Sequence, residues 1–208
     1  MSFAAAETAL LLEAKHLTRM FGGVRAVDTV DLSVARGSVH GLIGPNGAGK
    51  TTLLNLIAGV HPVTRGSLHF CAADITRCST AKRARMGIRR TFQSLKLFLE
   101  MTVLENVAIG LHADTRCGLF DAMVRTSRLR LEEDGITDRS MQALQFLGLG
   151  SIARARASTL AYGHRRLLEI ARAIVAKPSL LLLDEPAAGL NETESAHAPA
   201  RHSSDVKS

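Results

Sequence analysis

The sequence predicts an α/β fold with an antiparallel β part at its N-terminus and a helical block inserted in the core. Three observations predict it. Val39 to Ile43, Gly44 to Thr51 and Thr52 to Ala58 read in succession as a buried strand, a glycine-rich loop and a helix. Leu180-Leu181-Leu182-Leu183 is a continuous apolar run of strand length, the pattern of a parallel-sheet strand buried on both faces. Between them, from Val103 to about Leu149, breakers are few, apolar residues recur at helical spacing and no strand-like run appears.

The loop is the most informative stretch. Gly44-Pro45-Asn46-Gly47-Ala48-Gly49-Lys50-Thr51 is a complete G-x-x-x-x-G-K-[ST] phosphate-binding loop in the required strand–loop–helix setting. Its glycines let the backbone curl so that successive N–H groups point inward at a phosphate. The helix that follows aims the positive end of its dipole at the same place. Lys50 can reach the β- and γ-phosphates as a compact charge, and the Thr51 hydroxyl can ligate Mg²⁺.

The other elements follow in order. Leu10 to Phe21 and Val24 to Val34 read as strands joined at Gly22-Gly23. Phe21 itself stays open between a core and a hairpin aromatic. Arg36-Gly37 is a turn, His61-Pro62 to Gly66 a loop, and Ser67 to Phe70 a further short strand. His61 and His69 have no partner at metal-ligand spacing. Met86 to Phe92 leads to Gln93. Thr102 with Glu105 three residues on is a capping box that starts a helix, and Leu147-Gly148 is a helix end. Leu160-Ala161-Tyr162-Gly163-His164 opens another helix, with Leu167, Leu168, Ala171, Ile174 and Val175 on one face. The leucine run ends at Asp184-Glu185, at the strand end where open α/β sheets bind ligands. In a chain with a phosphate loop, these carboxylates supply a Mg²⁺ ligand and a general base.

Composition sets the bounds. The chain has 208 residues, 46% hydrophobic and 22% charged, with a formal charge of +7, which suits one sizeable globular core. Arginines cluster around Lys82, Arg83, Arg85, Arg89 and Arg90, then Arg125, Arg128 and Arg130, then Arg154, Arg156, Arg165 and Arg166. The charge suits nucleotide phosphates, nucleic acid or an anionic membrane surface, although solvated helix faces account for most of these side chains. With no Trp and one Tyr, stacking platforms for single strands are scarce. No apolar run has the length to span a bilayer, and the N-terminus lacks the basic start of a signal peptide. A cytoplasmic location is expected, with Cys71, Cys78 and Cys117 as reduced thiols.

The motifs occur in the order of a known family. Phe21, GPNGAGKTT at 44 to 52, Gln93, LAYGH at 160 to 164, LLLLDEP at 180 to 186 and AAGLN at 187 to 191 together resemble the ATP-binding subunit of an ABC transporter, over roughly residues 10 to 194. RTFQ, MTVLENV and DEPAAGLNET look closest to subunits that power branched-chain amino-acid importers. The resemblance implies the nucleotide-binding domain of a P-loop NTPase, with ATP and Mg²⁺ as cofactors. It divides the chain into an N-terminal β part and P-loop core at 1–92, a helical subdomain at 93–159, and the second part of the P-loop core at 160–194.

Residue roles follow from the same resemblance. Phe21 would stack on adenine. Gly44, Pro45, Asn46, Gly47, Ala48, Gly49, Lys50, Thr51 and Thr52 would hold the phosphates. Thr51, Gln93 and Asp184 would serve the metal. Gln93 would also sense the γ-phosphate, and Glu185 would polarise the attacking water. Leu160, Ala161, Tyr162, Gly163 and His164 would face the ATP of a second ATPase subunit, identical or different, in a head-to-tail dimer. Membrane permease subunits would be the other partners, on the cytoplasmic face of the inner membrane, with no specific nucleic acid.

Two departures stand out. Ala161 and His164 replace the Ser and Gln frequent in the family, which removes a hydroxyl donor at 161. The stretch from 195 to 208 lacks Leu, Ile and Phe and is expected to be a disordered, non-family tail. The switch histidine of the family would then be missing, because His197 and His202 follow Glu185 too closely. Slow hydrolysis is the expected consequence. Two further readings stand beside the importer subunit: a nucleotide-binding remnant without transport activity, and a non-transport ABC protein acting on nucleic acid or the ribosome.

Overall fold

The computed structural model describes residues 10–91, 97–111 and 127–185. The chain divides into two compact units between Arg89 and Arg90.

The first unit is built on an antiparallel sheet. β1 (Leu10–Phe21) and β2 (Val24–Ala35) are joined at Gly22-Gly23, as the sequence predicts, and β3 (Arg65–Phe70) and β4 (Ala73–Asp74) complete the order β2-β1-β3-β4. β1 is central, pairing Ala14 with Leu32 on one side and with Leu68 on the other. Its register shifts near His16, which adopts a left-handed φ of 50°, and such irregularities bend and twist a strand locally. Leu12, Ala14 and Leu17 are buried with Leu68, Phe70 and Val34.

Helix α1 (Lys50–Ala58) buries Leu53, Leu56 and Ile57 and ends at Gly59, whose φ of 79° permits a left-handed C-terminal turn. A second device closes that end. Arg83 of helix α2 (Thr80–Arg85) is 1% exposed. Its guanidinium donates to the carbonyls of Leu56, Ile57, Thr76 and Cys78. Orphan carbonyls at a helix C-terminus need donors, and a cation there also complements the dipole. Burial depresses the Arg83 pKa, opposed by Cys78 and Asp74. Arg83 is therefore not one of the solvated arginines that its clustered sequence suggests.

The stretch Val39 to Ile43 differs from expectation. It forms no strand in either sheet, and Val39 and Ile43 are 99% and 96% exposed. An apolar run becomes a strand only when neighbours complete its ladder, and among the described residues no strand runs beside it.

The second unit is mainly helical. Helix α3 (Val103–Ala108) begins with the expected capping box: the Thr102 hydroxyl accepts from the Glu105 N–H, and the Glu105 carboxylate accepts from the Thr102 N–H at 2.7 Å. Backbone bonds from Val103 to Ala155, Leu104 to Ala153, Ala157 to Met101 and Ser158 to Leu99 stitch the start of α3 to the segment preceding Leu160. Helix α4 (Ser127–Phe146) and helix α5 (Tyr162–Ile174) pack with α3 on one apolar cluster, which includes Val103, Val107, Leu144, Leu149, Leu168, Ala171 and Val175. Fully buried Asn106 closes the turn before α3, donating to the carbonyls of Phe98 and Thr102 and accepting from the Phe98 N–H.

β5 (Ile88–Arg90) and β6 (Leu180–Leu182) form a two-stranded sheet. Leu182 is buried, but Leu180 and Leu181 are half-buried and Leu183 is 37% exposed. The leucine run is a strand, as expected, without the two covered faces that its composition suggests. A face is covered only where another layer packs on it, which the composition of the run does not determine.

Candidate nucleotide site

Within the first unit, Ala48 N–H donates to the Pro45 carbonyl at 3.2 Å, and Gly49 O accepts the first α1 bond from Leu53 N–H at 2.8 Å. Gly47 and Gly49 have φ of 83° and 85°, a region that side-chain-bearing residues rarely occupy. Gly49 has a second constraint: a Cβ there would lie 2.2 Å from the Ala26 carbonyl oxygen of β2. The glycine thus lets the helix start pass directly against the sheet. The Lys50 ammonium donates to the carbonyls of Gly44 at 2.6 Å and Pro45 at 2.8 Å, which lays its charge across the loop. Thr51, on the first turn of α1, is exposed.

Phe21 closes β1 and is 40% exposed. This resolves the open choice in favour of a surface aromatic at the hairpin. The Arg19 guanidinium lies over its ring at 4.4 Å, and the His61 ring meets it edge-on, centroids 5.2 Å apart. Arg19 also donates to the Pro62 carbonyl at 2.9 Å, tying β1 to the loop after α1.

The remaining described candidates lie in the second unit. Leu160 and Gly163 are buried, whereas Ala161, Tyr162 and His164 are exposed. Leu160 thus anchors the segment that enters α5, and the N-cap Ala161 and the first-turn residues Tyr162 and His164 face outward around buried Gly163. Ala161 is the N-cap of α5, with φ −61° and ψ 157°, and makes no side-chain cap bond. Asp184 is buried and accepts from Arg90 at 2.9 Å in an ion pair with both side chains about 5–6% exposed. Its N–H donates to the Thr91 hydroxyl at 3.4 Å, and Thr91 N–H donates to Leu182 O at 3.0 Å. Glu185 is exposed and holds a left-handed φ of 46°, a conformation costing roughly 1–2 kcal/mol for a side-chain-bearing residue.

Sequence reasoning missed two residues here. Arg166 and Glu169 form a buried pair in α5, N–O 2.7 Å with both side chains 2% exposed. The other guanidinium arm of Arg166 donates to the carbonyls of Asp184 and Glu185. Their i,i+3 spacing was the available signal, but the arginine sat in a run that reads as a solvated face. Gln93, Pro186 and the AAGLN stretch lie outside the described residues, as do Cys117, His197 and His202. Cys71 and Cys78 are free thiols.

A glycine loop that opens a helix, with a lysine across it, defines a P-loop protein. The sequence profile described as ABC transporter matches residues 27–188, and the chain belongs to that family. The LivG high-affinity branched-chain amino acid transport ATP-binding protein of Salmonella typhimurium is 42% identical over 88% of this chain and 72% of its own length. The corresponding BraF protein of Pseudomonas aeruginosa is 40% identical over the same shares. Two solved structures share the fold. A nucleotide-free ATP-binding cassette of an ABC transporter has a TM-score of 0.76 and 33% identity, over 90% of this chain and 74% of its own. An ATP-binding cassette of an ABC transporter in its ADP conformation has a TM-score of 0.76 and 34% identity, over 90% and 73%.

Proposed function

We propose that this chain is the ATP-binding, ATP-hydrolysing subunit of a branched-chain amino-acid importer, acting with permease subunits at the cytoplasmic face of the membrane. The observation that carries the reading is the loop itself: left-handed Gly47 and Gly49, and a lysine charge across the mouth, where α1 points its N-terminus. That arrangement suits a chain of phosphates. The likeness to LivG and BraF supports the solute class.

In this reading Phe21 carries the adenine, residues 44–52 hold the phosphates, and Lys50 exchanges loop carbonyls for the β- and γ-phosphate oxygens. Among the described residues no cluster of three His, Cys, Asp or Glu side chains could hold a metal. Thr51, Gln93 and Asp184 are the residues that would hold Mg²⁺. Bound there, the ion would supply neutralisation of phosphate charge. Glu185 orients the attacking water and takes its proton. Residues 160–164 face the nucleotide of a second ATPase subunit in a head-to-tail dimer.

The experiment is co-expression with branched-chain amino-acid permease subunits, followed by leucine uptake and phosphate release in vesicles, with Glu185→Gln as the blank. Uptake and release that both disappear in the blank support the reading. Failure to co-purify with permeases, together with RNA binding that survives physiological salt, would replace it with the nucleic-acid reading.

A further inference from the structure

We propose that Arg166 is a positioning residue for Glu185, linking the carboxylate turn at Asp184-Glu185 to the helix that opens at residues 160–164. The inference rests on the reading of Glu185 as the group that orients water.

Arg166 lies one turn into α5 and is fully buried. One arm of its guanidinium donates to Glu169 Oε2 at 2.7 Å. The other arm donates to two successive carbonyls, those of Asp184 and, at 2.9 Å, Glu185. A guanidinium is a planar, rigid fork. With one arm fixed by a carboxylate on its own helix, the direction of the second arm is set by α5.

That second arm has a task that ion pairing alone does not require. Holding the carbonyls of 184 and 185 fixes the peptide between them, and with it the direction in which the Glu185 side chain leaves the backbone. Glu185 occupies a left-handed conformation, which persists only where surrounding contacts over-determine it. Arg90 and Thr91 grip residue 184 through its carboxylate and N–H. Arg166 reaches one residue further, to Glu185. A shift of the first turn of α5 is thereby passed to Glu185 through a single side chain. The residues that face the neighbouring nucleotide in the proposed dimer start that same helix. Engagement of the second subunit would then set the angle of the water-orienting carboxylate.

A buried Arg–Glu pair can often be exchanged for apolar residues of similar volume without loss of fold. The test therefore compares the full chain with Arg166→Met/Glu169→Leu and with Arg166→Lys, which keeps the charge and loses the fork. Three quantities are measured: Mg-ATP affinity, single-turnover phosphate release, and amide hydrogen exchange over 179–185. Expected in both variants are unchanged affinity, release slower by about 10–100-fold, the scale of a small misplacement, and faster exchange at 184–185. Unchanged release, or unchanged exchange at 184–185, overturns the proposal, since Arg166 would then serve only the packing of α5. Should the double variant fail to fold by circular dichroism, Arg166→Lys decides. If Glu185→Gln retains the parent rate, or the parent releases no phosphate, the reading of Glu185 fails separately, and exchange alone decides whether Arg166 holds the turn.

Discussion

The Arg19 guanidinium lies 4.4 Å from the centre of the Phe21 ring. One face of the ring is therefore occupied by a cation, itself held by the Pro62 carbonyl, and a base would stack on the opposite face. Phe21→Ala is expected to weaken ATP binding by about 1 kcal/mol, the scale of an aromatic contact, and to leave tripolyphosphate binding unchanged. Arg19→Met, which keeps the stem and removes the cation, is expected to cost about 0.5–1 kcal/mol. GTP should bind at a level similar to ATP, since stacking accepts any base. Calorimetry with the three ligands checks this. Equal losses for ATP and tripolyphosphate would show that Phe21 supports the loop and not the base.

Lys50→Ala removes the charge that spans Gly44 and Pro45. Mg-ATP affinity should fall by at least an order of magnitude, in keeping with the loss of a charge-assisted contact of about 1.5–3 kcal/mol. Thermal stability should barely change, because a half-exposed lysine bonded to two loop carbonyls contributes little to folding. Equal affinity in titration calorimetry would remove the loop from the nucleotide site.

Gly49→Ala combines two penalties, a left-handed φ of 85° and a Cβ 2.2 Å from the Ala26 oxygen. Backbone cannot yield as a flexible side chain can, so α1 must move off β2. Denaturant unfolding should show a loss exceeding the roughly 1 kcal/mol of a left-handed residue alone, and nucleotide affinity should fall with it. Gly47→Ala, at φ 83° with open space around its Cβ, serves as the control and should cost less.

Much of this was legible in the sequence, and the reasons differ by element. The phosphate loop, the β1–β2 hairpin and the Thr102–Glu105 capping box are local: each is fixed by residue types within a few positions, so spacing alone carries them. Val39 to Ile43 and Leu180 to Leu183 read as fully buried strands because both are apolar runs. Burial depends on what lies beside a strand, and no local pattern states that. The arginines failed for a related reason. Arg83, Arg90 and Arg166 are spaced like their exposed neighbours, yet each covers its side chain against carbonyls or a carboxylate supplied by residues elsewhere in the chain.

The capping box provides a pH test. The Thr102 N–H, and then its hydroxyl, donate to the Glu105 carboxylate and hold its pKa below the ordinary 4.5. A depressed carboxylate pKa stabilises the fold in full above the unfolded value and loses that contribution as pH falls through the folded one. The stability gap between parent and Glu105→Ala should thus be present at neutral pH and shrink in acid, as the pH falls below the ordinary carboxylate range. A gap that is equal at both pH values would show that the carboxylate charge contributes nothing to the start of α3.

Ala161 offers the last test, at the start of α5. Its φ and ψ of −61° and 157° are those of an ordinary N-cap, but its methyl group offers no acceptor to the first-turn N–H groups. A serine there needs no backbone change to accept one of them. Ala161→Ser should stabilise the chain by about 1 kcal/mol, raising the melting temperature by roughly 2–4 °C for a domain of this size. Ala161→Gly separates capping from flexibility: glycine caps only slightly less well than serine by exposing the N–H groups to water, so most of the gain should appear there too. The serine hydroxyl has a second use if residues 160–164 face a neighbouring nucleotide, because it adds a donor toward that γ-phosphate. Ala161→Ser should then promote ATP-dependent dimerisation of a Glu185→Gln background in size-exclusion chromatography, whereas Ala161→Gly should not. If both substitutions raise stability and neither changes dimerisation, position 161 acts on the helix alone, and the departure from serine is neutral for the shared site.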